Sequence, residues 1–237
     1  MGTSTTSICY EAFAGLIRTL YDRRISGPPV LDLAGHFPAA DQFVDAWEDV
    51  RDEALQVANT LREVPRFHEL MRSQAEISAN DGRDWRMLVL KAYGVAIQQN
   101  MARCPKLASL VSSAPDVLSA TLSFLSPGKH IPRHRGPFRG VIRFYLGLSV
   151  PTGADGRPDV MLIINDVEHR IANAECLLWD DTFPHEVWNR SNQVRIALLL
   201  DIRRHGMPRD MALLSRLLIG LAGAAIRVRR NTLMAGN

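Results

Sequence analysis

Two histidines, each followed by an arginine on a strand-like run, are the residues of this chain whose types and spacing could do chemistry. His134 precedes Arg143 by nine residues, and His185 precedes Arg195 by ten. Imidazole nitrogens are common ligands of iron and zinc, and the planar guanidinium group matches the two oxygens of a carboxylate. The two pairs therefore predict a metal site beside a site for an organic acid.

The alternation of side chains along these runs indicates which residues share a face. Arg143 and Tyr145 lie two positions apart in a run whose other members are mainly aliphatic, and Ser123 and Arg195 occupy comparable positions in two further runs. A barrel of about eight strands has room for one small ligand. We therefore expect Ser123, Arg143, Tyr145 and Arg195 to line a barrel interior.

Simpler alternatives compete with this interpretation. Each arginine could pair with a protein carboxylate, for which Asp180, Asp181 and Asp201 are the candidates, or could face water. The histidine spacing is not specific either, because the chain has seven histidines and lacks a close-spaced motif such as His-Glu-x-x-His. Spacing alone does not distinguish His134 and His185 from the other histidines.

The rest of the chain predicts the elements that must position these residues. Helical periodicity predicts a helix that Asp41 caps, a second over 85–102 and a third over 106–113, with a flexible loop at 78–82. Short runs separated by turn signals then predict strands without helix-length crossovers, which favours antiparallel pairing. These runs are 117–125, 140–150, 159–164, 168–171, 175–179, 185–189 and 194–202.

This order of elements predicts an α+β, mainly β fold. We expect a helical N-terminal layer over residues 1–116 and a jelly-roll core, a cupin-like double-stranded β-helix, over 117–205. A C-terminal helix and tail should occupy 206–237.

Charge and composition narrow the classes of partner. The formal net charge is +3 and no block of basic residues occurs, so nucleic-acid binding has little support. Three scattered cysteines and the lack of an apparent secretory signal favour a cytoplasmic protein. The apolar run 217–226 is too short to span a membrane and is flanked by Arg216 and Arg227. It predicts either a helix packed on its own domain or an amphipathic helix in peripheral contact with a membrane.

Two segments carry a resemblance to a known family. Residues 123–148 read SFLSPGKHIPRHRGPFRGVIRFYLGL, and residues 180–195 read DDTFPHEVWNRSNQVR. Together they resemble the aspartyl/asparaginyl β-hydroxylases, a family of iron(II)- and 2-oxoglutarate-dependent dioxygenases that includes bacterial lipid A 2-hydroxylases. The resemblance is strong over 123–203, looser back to residue 85, and absent after Pro208.

The resemblance implies a role for each predicted site residue. His134 and His185 match the two ligands of Fe(II), and O2 would be the co-reactant. Arg195 matches the arginine that holds the distal carboxylate of 2-oxoglutarate, with Ser123 as its hydroxyl neighbour. Arg143 matches a second arginine that contacts the cosubstrate.

The chain departs from the commonest patterns at two positions. The family usually has a histidine two residues after the second arginine, and Tyr145 stands there. A phenol can donate a hydrogen bond to a carboxylate but carries no positive charge near neutral pH. Many iron oxygenases also place a carboxylate two residues after the first histidine, where this chain has Gly136. The absence of that carboxylate is typical of the aspartyl hydroxylases.

The resemblance implies hydroxylation of an unactivated C–H bond and leaves the substrate open. Basic residues around the expected mouth favour a small acidic substrate: Lys129, Arg133, Arg135, Arg139 and Arg190. We expect the β-carbon of an aspartyl or asparaginyl group, free, tethered or in a small peptide. The alternatives are 2-hydroxylation of a lipid acyl chain at the membrane surface and a non-catalytic jelly-roll binding module.

Overall fold

The computed structural model describes residues 5–235, with side chains described for residues 10–228. The helices are α1 (Thr5–Asp22), α2 (Leu33–His36), α3 (Ala40–Asp45), α4 (Trp47–Ala58), α5 (Phe67–Leu70), α6 (Gln98–Arg103), α7 (Pro105–Ser113) and α8 (Arg209–Ala235). The strands are β1 (Trp85–Ala92), β2 (Val95–Ala96), β3 (Val117–Leu125), β4 (His130–His134), β5 (Val141–Ser149), β6 (Val160–Ile164), β7 (Val167–His169), β8 (Cys176–Trp179), β9 (His185–Asn189) and β10 (Arg195–Arg203). Short 3-10 helices occur at Leu61–Glu63 and Arg72–Ile77.

The strands form two antiparallel sheets. The larger sheet has the order β2-β1-β3-β10-β5-β8, and the smaller has the order β4-β9-β6-β7. From β3 onward the chain passes back and forth between the two sheets, which is the topology of a jelly roll, or double-stranded β-helix. The predicted α+β, mainly β fold class is therefore confirmed.

Helices cover the outer face of the larger sheet. Phe37 and Phe43 from the helical segment pack against Phe144 of β5, with ring centroids 5.3 Å and 6.3 Å from that of Phe144. Leu198 and Leu200 of β10 belong to the same buried cluster. Each large apolar side chain buried in this way stabilises the fold by roughly 1.5–3 kcal/mol. The alternate residues of β3, β5 and β10 therefore face the smaller sheet, as the alternation predicted.

The predicted helix over 85–102 is wrong, because its first part forms β1 and β2. Tyr93 and Gly94 have φ angles of 44° and 81°, the two left-handed residues of a tight hairpin turn, and Ala92 consequently pairs with Val95. The segment contains good helix formers, but pairing of β1 with β3 outweighs that local preference. The larger sheet thus extends into the region predicted to be a helical layer.

Two other local predictions need correction. The helix predicted from Asp41 begins at Ala40 and is interrupted at Ala46, and Asp41 lies in its first turn rather than at the cap. The loop 78–82 is tied down rather than free. The fully buried ammonium of Lys129 donates to the Ser78 carbonyl oxygen at 2.7 Å and to Asp81 Oδ1 at 2.6 Å.

The final helix lies within the predicted C-terminal segment 206–237 and is longer than the apolar run 217–226. Its stretch Arg209–Val228 is long and apolar enough to cross a membrane by length and composition, and 17% of it is buried. The apolar run 217–226 alone is too short to span a membrane, but the longer helical stretch Arg209–Val228 is not. The inner face of α8 packs with Tyr21 of α1 and Phe138 in a separate small apolar cluster.

Candidate metal and anion site

A cavity with an empty volume of about 570 Å³ lies between the two sheets. Its lining includes every residue that the sequence predicted for the site: Ser123, His134, Arg143, Tyr145, His185 and Arg195. The other described lining residues are Trp85, Ile131, Val160, Leu162, His169, Ile171, Trp179, Val187 and Leu199. The full lining contains two arginines, Arg143 and Arg195, and no acidic residue, so the cavity suits an anion.

His134 and His185 face each other from the paired strands β4 and β9, with ring centroids 4.2 Å apart. Nδ1 of His134 lies 2.8 Å from the Pro132 carbonyl oxygen, and Nδ1 of His185 lies 2.9 Å from that of Phe183. Because a carbonyl oxygen only accepts, each Nδ1 must carry the proton. Each Nε2 therefore keeps a lone pair, which is the tautomer that a metal ligand requires.

Burial keeps both imidazoles neutral. It lowers the pKa of His134 to about 4. It also lowers the pKa of His185 well below the ordinary value, and the nearby His134 adds to that shift. Since a proton and a metal compete for the same nitrogen, low pKa values favour metal binding at neutral pH.

Two imidazoles, rather than three ligand side chains, could hold a metal among the described residues of this site. Within the described part of the chain, no group of three or more histidine, cysteine or acidic side chains could hold a metal. The Gly136 amide donates to the Asp181 carbonyl oxygen at 2.7 Å, and a Cβ built on Gly136 would overlap the Asp181 carboxylate. A ligating side chain at position 136 would therefore require Asp181 to move.

Arg195 is a buried cation with no counter-ion among the residues that the structure describes. It is 2% exposed, and its Nη1 donates to Ser123 Oγ at 3.3 Å. No carboxylate among the described residues pairs with it, and its Nε has no hydrogen-bond partner there. Burial lowers the pKa of this guanidinium. Such a cation is costly unless an anion pairs with it, so Arg195 marks where a ligand carboxylate would bind.

Further polar atoms of the cavity lack hydrogen-bond partners among the described residues. His169 Nε2 and Trp179 Nε1 are buried and, like Arg195 Nε, make no hydrogen bond within the described residues. Ser123 Oγ accepts from Trp85 Nε1 at 3.0 Å as well as from Arg195, which leaves its hydrogen free to donate. Buried polar groups are normally satisfied. These donors fit a carboxylate-bearing ligand such as 2-oxoglutarate.

Arg143 is in the opposite situation, because it pairs with protein carboxylates. Its Nη2 lies 2.8 Å from Asp201 Oδ1 and 3.4 Å from Asp181 Oδ2. Burial alone would lower its pKa, but the two carboxylates outweigh burial and raise it. Each arginine could have paired with a protein carboxylate. Among the described residues, Arg143 does so and Arg195 does not. A cosubstrate contact for Arg143 stays a prediction.

Tyr145 lies beside Arg195 in the cavity wall. The guanidinium carbon of Arg195 is 5.8 Å from the Tyr145 ring centroid, and burial raises the pKa of the phenol. Tyr145 is therefore neutral at physiological pH. It can donate a hydrogen bond where the family usually has a histidine.

Two of the five cations predicted for the basic rim are buried. Lys129 is fully buried and Arg139 is 8% exposed, with Arg139 Nε lying 3.1 Å from Asp22 Oδ1. Arg133 pairs with Asp166 at 2.6 Å, and Arg135 Nη2 lies 3.7 Å from another Asp22 oxygen. Arg190 stacks near the Trp188 ring. Four of the five cations therefore lie near an aspartate, while Arg133, Arg135 and Arg190 are exposed.

Sequence reasoning missed three polar residues of the lining: Trp85, His169 and Trp179. Trp85 belongs to a segment predicted as helix, and His169 lies on the three-residue strand β7. The usable signal was at Trp179, which ends a predicted strand and lies on the same face as Leu177. Alternation there would have placed the indole in the interior.

A comparison with known protein families finds a match over most of the chain. The profile described as Aspartyl/Asparaginyl beta-hydroxylase matches residues 44–205. The chain belongs to this family. The family resemblance predicted from the two sequence segments is thereby confirmed, and the protein is a member of a hydroxylase family.

Two relatives show how far the similarity extends. An ornithine lipid ester-linked acyl 2-hydroxylase from Rhizobium tropici is 34% identical over 181 residues, covering 75% of this chain and 61% of that protein. Human aspartyl/asparaginyl beta-hydroxylase is 24% identical over 161 residues, covering 66% of this chain and 20% of that protein. The chain thus matches about three-fifths of the first relative's length and one-fifth of the second's.

Solved structures show more distant likeness. A Pseudomonas putida prolyl-4-hydroxylase aligns with a TM-score of 0.45 at 16% identity, covering 68% of this chain and 88% of that one. A cupin domain of an Enterobacter cloacae transcriptional regulator aligns with a TM-score of 0.30 at 15% identity, covering 37% and 82% of the two chains.

Proposed function

We propose that the protein is an Fe(II)- and 2-oxoglutarate-dependent hydroxylase that acts on the acyl chain of a lipid. Dependence on iron and 2-oxoglutarate is supported by one cavity. It contains two neutral imidazoles, each with a free Nε2, and Arg195, which pairs with no carboxylate among the described residues. A metal that also chelates an organic acid, and an arginine that holds the far carboxylate of that acid, account for both features.

Each residue then has a defined task. His134 and His185 would hold the iron through Nε2, while their Nδ1 hydrogen bonds fix the ring orientations. Arg195 and Ser123 hold the distal carboxylate of 2-oxoglutarate, and Tyr145 is a further donor beside them. Bound iron and cosubstrate would supply the oxidation, in which O2 and 2-oxoglutarate yield succinate, carbon dioxide and a hydroxylated substrate.

The cavity walls exclude water from this chemistry. Aliphatic side chains from both sheets surround the polar groups: Ile131, Val160, Leu162, Ile171, Val187 and Leu199. A dry site strengthens each charge interaction inside it. It also limits reaction of the oxidant with water rather than with the substrate.

A lipid acyl chain is favoured over an acidic group as the substrate. Four of the five cations that would have attracted an acid lie near aspartates, and two of these four are buried, whereas Arg190 is exposed beside the Trp188 ring. The Rhizobium tropici relative bears the name of a lipid acyl 2-hydroxylase. The aspartyl or asparaginyl substrate expected from the sequence is the competing outcome of the test, and a non-catalytic binding module is the third.

The test measures succinate formation and oxygen incorporation. The purified full chain receives Fe(II), 2-oxoglutarate and ascorbate with either a detergent-solubilised ornithine-type lipid or a short acidic peptide. We expect the lipid to stimulate succinate formation and to gain one oxygen atom by mass spectrometry. Stimulation by the peptide alone would overturn the lipid proposal and leave the hydroxylase proposal standing.

The metal assignment has its own readout. Anaerobic titration with Fe(II) and 2-oxoglutarate should produce a weak visible charge-transfer band. His134→Ala and His185→Ala should abolish the band, while His205→Ala, a change of an exposed histidine, should keep it. A wild-type protein that forms no band and makes no succinate with any substrate would be a binding module rather than an enzyme.

A further inference from the structure

Helices α1 and α8 expose two apolar stripes that no described residue covers. On α8 the stripe consists of Leu213, Leu217 and Leu221, which are 68%, 57% and 59% exposed. Their four-residue spacing places them along one side of the helix. On α1, Phe13 and Leu16 are 56% and 60% exposed. Exposed apolar residues aligned along a helix are typical of a site of interaction.

The opposite side of α8 is fixed to the protein. Ser215 Oγ and Tyr21 Oη are 2.6 Å apart, and Ile219 is buried in the cluster shared with α1. A Cβ built on Gly223 would lie 2.8 Å from the Tyr93 carbonyl oxygen, so the helix backbone lies directly on the hairpin turn between β1 and β2. The helix therefore cannot cross a membrane without leaving the barrel, although its composition would allow it.

Arginines flank the α8 stripe. At 100° per residue, Arg209, Arg216 and Arg227 fall on the same flank of the leucine stripe, and all three are exposed. The only acidic residue of α8 is Asp210, which pairs with Arg24 at 2.9 Å. An apolar face bordered by cations complements a surface of apolar chains below anionic headgroups.

The same helices adjoin the loop that follows His134. Arg18 of α1 donates to the Gly136 carbonyl oxygen at 3.2 Å. The rings of Tyr21 and Phe138 have centroids 5.8 Å apart. Gly140 approaches Ser215 so closely that a Cβ there would overlap its hydroxyl group. Helices, loop and the His134 end of the cavity are therefore one packed unit.

We infer that α1 and α8 form a docking surface with which the protein lies on an anionic lipid bilayer, with α8 in the plane of the interface. Docking would bring the loop 136–140, against which the inner faces of these helices pack, to within about one helix diameter of the bilayer. The proposed lipid substrate would explain why the protein docks, but the evidence for docking is the exposure and charge of the two helices.

The test is sedimentation with vesicles, using metal-free full-length protein without cosubstrate. Wild type should bind vesicles of phosphatidylcholine and phosphatidylglycerol, and salt should weaken the binding. Serine at Leu213, Leu217 and Leu221 together should reduce partitioning at least about tenfold. The matched control places serine at the exposed Leu55 and Val167, which lie elsewhere, and should bind as wild type does.

A second pair of variants tests the charge. Arg216→Gln with Arg227→Gln should weaken binding to anionic vesicles by about fivefold per arginine. Arg62→Gln with Arg157→Gln, changes of exposed arginines on other elements, should not. The inference is overturned if wild type does not bind anionic vesicles, or if the leucine variant binds as well as wild type. It is also overturned if that variant only converts a dimer into a monomer by light scattering, which would assign the face to a second copy of the chain.

The two proposals fail separately. Vesicle binding without lipid hydroxylation in detergent would leave the docking surface intact and remove the lipid substrate. Hydroxylation of detergent-solubilised lipid without vesicle binding would do the reverse.

Discussion

Two arginines in one cavity illustrate how a residue's partners decide its role. Arg143 is balanced by Asp201 and Asp181, whereas Arg195 has Ser123 and no carboxylate among the described residues. Removing one member of a buried ion pair strands the other charge, while removing an unpaired buried charge relieves a cost. The two positions should therefore respond oppositely to the same substitution.

Arg195→Met and Arg143→Met should differ in their effects on stability and on 2-oxoglutarate binding. Arg195→Met should leave the free energy of unfolding unchanged or higher, yet weaken 2-oxoglutarate binding by roughly 30-fold or more because a buried charge pair is lost. Arg143→Met should lower the free energy of unfolding by about 3 kcal/mol. Urea denaturation and calorimetric titration of the Fe(II) protein measure the two effects. Equal destabilisation by both changes would show that Arg195 has a protein counter-charge.

The ionisation of Asp181 should make the free energy of unfolding depend on pH. Burial raises its pKa to about 7, and Arg143 opposes the shift only in part. The folded state therefore binds more protons than the unfolded state between about pH 4 and pH 7, so ionisation of Asp181 lowers stability as the pH rises through that range. Asp181→Asn removes this titration. In metal-free protein its stability advantage over wild type should widen by about 2 kcal/mol between about pH 5 and about pH 8, and a constant difference would contradict the raised pKa.

Alternation and family resemblance predicted the cavity's polar residues because those depend on short-range pattern. Ser123, Tyr145 and Arg195 lie on regular strands whose inward faces follow from period two. The exposure predicted for Lys129 and Arg139 was wrong for the opposite reason. Whether Lys129 and Arg139 are exposed depends on partners such as Asp81 and Asp22, about 50 and over 100 positions away, which no local pattern reveals.

Local sequence patterns predict some strands of the fold and miss others. The strand boundaries of β3 and β9 were predicted to the residue, because turn signals bracket them. β1 was not, because its residues favour a helix and only pairing with β3 makes them a strand. The turn at Tyr93-Gly94 was the local signal that could have corrected the assignment.

The loop 78–82 is expected to depend on one buried lysine of the segment before β4. Lys129→Met would remove three hydrogen bonds, to the Ser78 carbonyl oxygen, Asn80 and Asp81, and would strand the Asp81 carboxylate. We expect a loss of about 3 kcal/mol in the free energy of unfolding and faster amide exchange in the loop. Lys106→Met, at an exposed lysine paired with Asp49, should change stability by no more than about 0.5 kcal/mol. Similar small effects at both positions would show that the loop is held by other contacts.

At the scale of the whole molecule, the position of α8 decides whether the protein rests on a membrane or could insert into it. A helix that is apolar on opposite faces can pack one face and offer the other to lipid, or it can detach and span. The packed arrangement depends on backbone contact between α8 and the β1–β2 hairpin at Gly223 and Tyr93. Two glycines on the same helix separate these arrangements.

Gly220 and Gly223 should respond in opposite directions to alanine. A Cβ on Gly220 meets nothing within 4 Å, so Gly220→Ala should raise the free energy of unfolding by about 0.5–1 kcal/mol through helix propensity alone. At Gly223 the new Cβ would press on the Tyr93 carbonyl oxygen, and a backbone atom cannot turn aside, so the net effect should be a loss of about 1 kcal/mol or more. Urea denaturation of the two variants measures the contrast. If both alanines stabilise the protein equally, α8 does not rest on the hairpin, the helix is free to leave the barrel, and docking in the plane of the membrane loses its structural basis.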